Sequence, residues 1–297
     1  MKILYVTNWK DIYEQSGGYR NDYLNDLLFY GLVENLGNNV ISTTTIDHLY
    51  KKNKELIPTN QLWGNGFTST FLIDINDHFN NTFKLKQKVE DKDFDFIIFG
   101  SWNRCREDYN WISKIYPKEK IILIDGADEQ TLFDYKSHLT FKRELVKEEK
   151  NILPISFAMP TNKFIKELPT KKEKTQDYGK IIPSSNTKYI FKTEEEYYKD
   201  YYKSYYGVTM KKAGWDAMRH YEIIANGSIP YFVDLESCPK DTLTTLPKNQ
   251  IIFLRNKAYN FDESVYWQML EYIFNYAKQY LTTKALGRYL INIIGNQ

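Results

Sequence analysis

Between Lys211 and Phe232 the chain reads KKAGWDAMRHYEIIANGSIPYF, which gathers Asp216, Arg219, His220 and Glu222 within seven residues. On a helical wheel Ala217, Met218, Tyr221, Ile224 and Ala225 share one arc, and Asp216, Arg219, His220, Glu222 and Asn226 share the other. Carboxylates accept hydroxyl protons, a guanidinium holds phosphate, and an imidazole works as acid or base. A surface helix ordinarily scatters Lys and Glu over its wet face. This grouping, beside the turn residue Gly227, is expected to face a ligand. The competing reading is structural. Arg219 and Glu222, three apart, would then form an intrahelical ion pair of about 0.2–0.5 kcal/mol, and His220 would be a satisfied core histidine.

Three further constellations could carry chemistry. Gly17 and Gly18 precede a helix, in a loop that also holds Arg20. Glycine opens backbone conformations closed to other residues, and a helix N-terminus favours phosphate. The loop is not G-x-G-x-x-G and no P-loop lysine follows it, which argues against NAD and ATP. A surface turn is the alternative. Asp125, Asp128 and Glu129 follow the apolar run IILI. Carboxylates at a strand's end are costly unless solvated, paired or functional, so Asp125 or Asp128 is a candidate general base. The alternatives are a helix N-cap and a metal site, although the spacing is Asp-x-x-Asp and not D-x-D. The basic candidates are Lys142, Arg143, Lys211, Lys212 and Arg219. A leaving diphosphate gathers charge in the transition state, and cations can stabilise it there. Trp63, Trp102 and Trp215 could stack on a sugar or base, against the alternative of core packing.

Glu222, Gly227 and Pro230, a Glu followed by Gly five residues on and then Ser-Ile-Pro, resemble the donor-site signature of two-Rossmann (GT-B) glycosyltransferases. Arg219, three before the Glu, is more similar to the exostosin-related branch, within a group that is glycosyltransferase family 1-like. The resemblance spans Tyr206 to Lys248 most clearly, and it extends to 1–37 and 94–129. It implies that Glu222 holds the ribose of a nucleotide-sugar and that Gly227 lets the backbone approach the nucleotide. Arg219, Lys211 or Lys212 would hold phosphates. His220 and Asp216 would lie near the sugar, and Asp125 or Asp128 would be the base. Gly17 and Gly18 match the Gly-Gly loop of the interdomain cleft. Retaining members carry a second Glu eight residues before the first, where this chain has Gly214. An inverting, metal-independent transfer to a hydroxyl acceptor is therefore expected. The rival expectations are a phage-type transferase acting on nucleic-acid bases and a non-catalytic nucleotide- or sugar-binding protein.

The elements that must position these residues alternate in type. Apolar runs at Lys2–Thr7, Val40–Thr45, Phe94–Gly100, Ile121–Asp125 and Ile152–Phe157 predict buried parallel strands. Helical spacing predicts helices over Tyr23–Leu36, Phe79–Val89 and Arg104–Ile115, with Gly37 as a stop. Thr193 with Glu196 forms a capping box that opens a helix. The signature helix and strand follow, then a strand at Ile251–Leu254, and helices over Phe261–Tyr280 and Lys284–Ile294. This predicts an α/β fold of two Rossmann-like domains with parallel sheets facing across a cleft: 1–158 on the acceptor side, a Pro- and Lys-rich linker over 159–188, and 189–297 for the nucleotide-sugar.

Composition narrows the partners. The 297 residues carry 40 basic and 38 acidic side chains, a net charge of +2, which does not by itself argue for nucleic acid. Two cysteines and four scattered histidines suggest neither a disulfide scaffold nor a Cys/His metal set. No signal segment or membrane span is expected, so a cytoplasmic location is the default.

Overall fold

A computed structural model describes residues 1–7, 21–74, 82–183 and 190–296. Gly17, Gly18 and Arg20 lie outside the described residues, as does the start of the helix expected from Phe79.

The chain is α/β, with a six-stranded and a three-stranded sheet, both parallel throughout. The first contains β1 (Ile3–Val6), β2 (Val40–Ser42), β3 (Phe96–Phe99), β4 (Ile121–Asp125), β5 (Leu139–Lys142) and β6 (Ile152–Pro154), in the order β2-β1-β3-β4-β5-β6. Its helices are α1 (Tyr23–Leu36), α2 (Thr82–Glu90) and α3 (Arg106–Ile112). The apolar runs are continuous because both faces of this sheet are covered. Alternate residues enter different cores: Ile3, Tyr5, Ile98, Ile122 and Ile124 one, and Leu4, Val6, Ile97, Phe99 and Leu123 the other.

The second sheet has the order β7-β8-β9, from β7 (Gln176–Tyr178), β8 (Ser204–Thr209) and β9 (Ile229–Phe232). Before β8 comes α4 (Glu194–Tyr202), opened by the expected capping box of Thr193 and Glu196. Between β8 and β9 runs α5 (Met218–Ala225), and α6 (Lys248–Lys257), α7 (Glu263–Tyr280) and α8 (Thr283–Gly295) close the chain. Both sheets fit Rossmann-like β-α-β units. Among the described residues no helix is long and apolar enough to cross a membrane.

Two expectations change here. Ile251–Leu254 is not a strand but part of α6, with Ile251 and Leu254 buried three residues apart. A four-residue apolar run carries no periodicity that separates the two structures. The stretch expected as a solvated linker supplies the edge strand β7 and buries Lys174, whose Nζ donates to the carbonyls of Ser204 and Gly227. Burial pushes that ammonium down to about 7.

The C-terminal helix returns to the first sheet. Helix α8 crosses α1 with glycines in contact: a Cβ on Gly31 would lie 2.1 Å from the Thr283 carbonyl oxygen, and one on Gly287 2.3 Å from that of Gly31. Backbone cannot yield there as a side chain could. Gly287→Ala is therefore expected to lower stability by about 1–3 kcal/mol through overpacking, although helix propensity alone predicts a gain of about 1 kcal/mol. Urea unfolding distinguishes the two, and a more stable variant would refute the tight crossing.

Candidate functional site

A cleft of about 460 Å³ lies where the two sheets' halves meet. The first half contributes Tyr23, the Trp63–Phe67 segment, Asp128, Arg143 and Phe157. The second contributes Phe191, Tyr197 and several residues between Thr209 and Glu222, among them Lys212, Gly214, Asp216, Arg219 and Glu222 itself. Of the residues singled out by sequence, the cleft brings together Asp128, Lys212, Asp216, Arg219 and Glu222. The volume and the aromatic walls suit an organic ligand of moderate size.

A second cavity, of about 350 Å³, opens beyond the carboxyl ends of β3 and β4. Asp22, Arg104, Asp125 and Glu129 line it, and it shares Asp128, Arg143 and Phe157 with the first. Ligands of open parallel sheets bind beyond the carboxyl ends of the strands, and this cavity lies there, beside the point between β1 and β3 where the strand order reverses. Asp128 and Arg143 thus stand at the boundary of both cavities.

The polar face of α5 is inside the protein. Met218, Tyr221, Ile224 and Ala225 on its other arc pack into the core, and the following turn at Gly227 takes φ +71°. Glu222 is 5% exposed. Its carboxylate accepts from Thr68 Oγ1 and, at 2.6 Å, from the Tyr197 hydroxyl. Burial holds its pKa above the ordinary value, while Thr68, Tyr197 and the nearby Arg219 pull it back. Arg219 lines the cleft, and its buried Nε has no acceptor among the described residues. Among the described residues no ion pair joins Arg219 to Glu222: the expected intrahelical pair is replaced by hydrogen bonds to Glu222 from Thr68 and Tyr197, which come from distant segments.

His220 sits elsewhere. It is fully buried, with Nδ1 2.9 Å from Thr209 Oγ1 and Nε2 2.8 Å from the Trp215 carbonyl oxygen, and its ring stacks on Phe232. It lines neither cavity. The structure thus places it away from both cavities with both ring nitrogens engaged, which does not favour the catalytic role considered for it, and burial pushes it down to about 4. Gly227 also faces away from the cleft. A Cβ there would meet Pro169 Cδ at 2.6 Å, so its glycine serves the turn and the packing of the 165–169 segment. Lys211 lies outside the cleft lining. Its amide donates to Asp234, and its Nζ is 5.8 Å from the Trp215 ring centre.

The two acids after β4 separate sharply. Asp125 is buried against the fully buried Lys142 Nζ at 3.0 Å, accepts from the Tyr135 hydroxyl, and caps the turn through the Ala127 amide. These three bonds all run inside the first half, although Asp125 also borders the second cavity. Asp128 is half exposed and is held on one side by the Arg143 guanidinium.

Sequence reasoning missed what joins the halves. Arg143, on the loop after β5, donates to Gly126 O, Glu144 Oε1, Asp216 O and Asp128. Glu144 accepts from the backbone amides of Trp215 and Asp216 at 2.9 and 3.0 Å. Asp216 completes the clamp by accepting from the Phe157 amide and the Tyr221 hydroxyl. The Lys-Arg-Glu run announced charge, but only its burial reveals a clamp. Thr68 and Tyr197 had no local signal at all. Of the tryptophans, Trp63 borders the cleft and Trp102 the second cavity, whereas Trp215 is buried against Phe232.

Among the described residues no group of three or more His, Cys, Asp or Glu is arranged to hold a metal ion. Comparison of the sequence with protein-family models gives no match, and comparison with curated proteins gives none.

Proposed function

We propose that this protein is a glycosyltransferase that moves a sugar from a nucleotide-sugar to an acceptor hydroxyl, without a metal and by inversion. The convergence of Asp128, Lys212, Asp216, Arg219 and Glu222 on one cleft beside two parallel sheets carries this reading. It agrees with the GT-B resemblance of the α5 region.

In this reading the nucleotide occupies the larger cleft, where Trp63, Phe191 and Tyr197 offer aromatic surface and Glu222 a ribose acceptor. Lys212 and Arg219 stabilise the diphosphate as the anomeric C–O bond breaks and its electron pair leaves with the phosphate. The acceptor enters the second cavity. Its oxygen bonds to the anomeric carbon, and its proton passes to Asp128 at the boundary.

The test is thermal denaturation with UDP, GDP, ADP and CMP and their sugars, with and without EDTA. One nucleotide is expected to stabilise the fold by about 2.7 kcal/mol at a hundredfold excess over its dissociation constant. EDTA should not change the shift, and Glu222→Ala should remove it. If none of these ligands shifts the transition, the nucleotide-sugar reading fails. A second reading, nucleotide binding without turnover, is favoured by one observation: Asp125 is paired with the buried Lys142, and both ring nitrogens of His220 are hydrogen-bonded within the protein. Release of free nucleotide from the bound nucleotide-sugar separates the two. A phage-type transferase acting on nucleic acid would add salt-sensitive DNA binding.

A further inference from the structure

The segment Trp63–Phe71 belongs to the first half of the chain, yet its tip is seated on the second. Phe67 stacks on Tyr197 with ring centres 5.7 Å apart. The Thr68 amide donates to Glu194 at 2.5 Å. The Thr68 hydroxyl lies 2.6 Å from the Tyr198 hydroxyl and donates to Glu222. An aromatic ring and a hydroxyl are thus carried to Tyr197 and Glu222, the side chains that the proposed function gives to a nucleoside.

The backbone behind this tip is wound unusually. Gly64, Asn65, Gly66 and Thr68 all have φ between +58° and +70°. Glycine takes such angles readily, but a β-branched residue does so only when its surroundings hold it there. Thr68 is held by its contacts to the second half. The roots of the segment are fixed separately: Asn21 accepts from the Trp63 amide at 2.7 Å and donates to Ser69 Oγ at 2.9 Å. The Phe71 amide donates to the His48 carbonyl. A strained tip between two anchored roots can leave without unravelling its base.

We infer that the tip at residues 64–68 is an autoinhibitory latch, which satisfies Glu222 and Tyr197 with the protein's own hydroxyl and ring until a ligand displaces it. This rests on the nucleotide reading of the cleft. In the latched form each Glu222 carboxylate oxygen already accepts one hydrogen bond, from Thr68 or from Tyr197, and the tip competes with a ribose for it, so binding reports the intrinsic affinity reduced by the open fraction.

The experiment titrates UDP, GDP, ADP and CDP calorimetrically into the wild-type chain, Thr68→Val and Phe67→Ala. It also follows amide exchange of residues 63–71 in each. Both variants are expected to bind one nucleotide about tenfold more tightly, as release of a latch open one-tenth of the time would give. Equal or weaker binding by the variants overturns the latch and leaves the nucleotide site standing. If no form binds any nucleotide, the nucleotide reading falls and exchange decides the latch. Protection in the wild type that is lost in Thr68→Val then supports it. Rapid exchange in the wild type overturns it.

Discussion

Glu144→Ala is expected to destabilise the protein by about 3–5 kcal/mol, the usual consequence of removing one partner from a buried ionic network. The side chain is essentially inaccessible, and three donors converge on it: the Arg143 guanidinium and the Trp215 and Asp216 amides. Alanine leaves the amides buried without an acceptor and leaves Arg143 with less compensation. Each unsatisfied group costs about 1–3 kcal/mol. Glu144→Gln keeps one acceptor oxygen and the volume, so its cost should be clearly smaller. Urea midpoints at constant slope measure both. Equal losses for Ala and Gln would mean that packing, and not the acceptor, holds the 214–216 loop. The functional consequence follows from position. That loop forms part of the cleft wall, so on the proposed function the Ala variant should also lose any stabilisation by nucleotide at temperatures where it remains folded.

Asp216 should make stability fall as pH rises. Burial pushes its carboxyl from an ordinary 3.8 up to about 7, with Glu144 adding to the push, against the opposing pull of Arg143, the Phe157 amide and the Tyr221 hydroxyl. Between roughly pH 4 and 7 the folded protein therefore keeps a proton that the unfolded chain has released. Unfolding then becomes easier with each step upward, by about 1.4 kcal/mol per pH unit and on the order of 4 kcal/mol across the window. Above that the effect is constant. His220 acts in the opposite sense. It is pushed from 6.5 to about 4, so the unfolded chain binds the extra proton and stability rises from pH 4 to 6.5. In the wild type the two slopes largely cancel below pH 6.5. The difference between wild type and Asp216→Asn removes the histidine's share. That difference should move in favour of the variant by several kcal/mol between pH 4.5 and 8, read from urea unfolding at each pH. A difference independent of pH would mean that Asp216 is ionised throughout, stabilised by Arg143 more strongly than burial opposes it.

Both predictions arise at the junction of the halves, and this junction was the part least legible in the sequence. The local elements were more accessible. Tyr23–Leu36 is a helix over the expected span, closed at Gly37 with φ +56°, because leucine spacing and a glycine stop act within one or two turns. The apolar runs at β1, β3 and β4 are strands, and Thr193 with Glu196 caps α4. Ile251–Leu254 misled because four apolar residues fit a strand or a buried helical turn equally well. Lys174 misled because a charge run reads as solvated surface, while a single lysine within it had two buried carbonyls to reach.

What acts over short range was legible in the chain: the alternation of strands and helices, the parallel character of the sheet from doubly covered apolar runs, and the concentration of Asp216, Arg219 and Glu222 just before and along α5. Which of those groups meet a cavity depends on long-range packing. His220 and Glu222 are two residues apart on one helix. Yet His220 is enclosed by Thr209, Trp215 and Phe232, while Glu222 reaches the cleft and meets Thr68 from 154 positions earlier in the chain. Asp125 and Asp128 likewise differ by three positions. One is neutralised within its own sheet by Lys142, and the other is left half exposed at the boundary of both cavities. The cause is the same in both pairs. Desolvation and hydrogen-bond partners set a side chain's chemistry, and both depend on chain segments whose separation in sequence carries no record of their proximity.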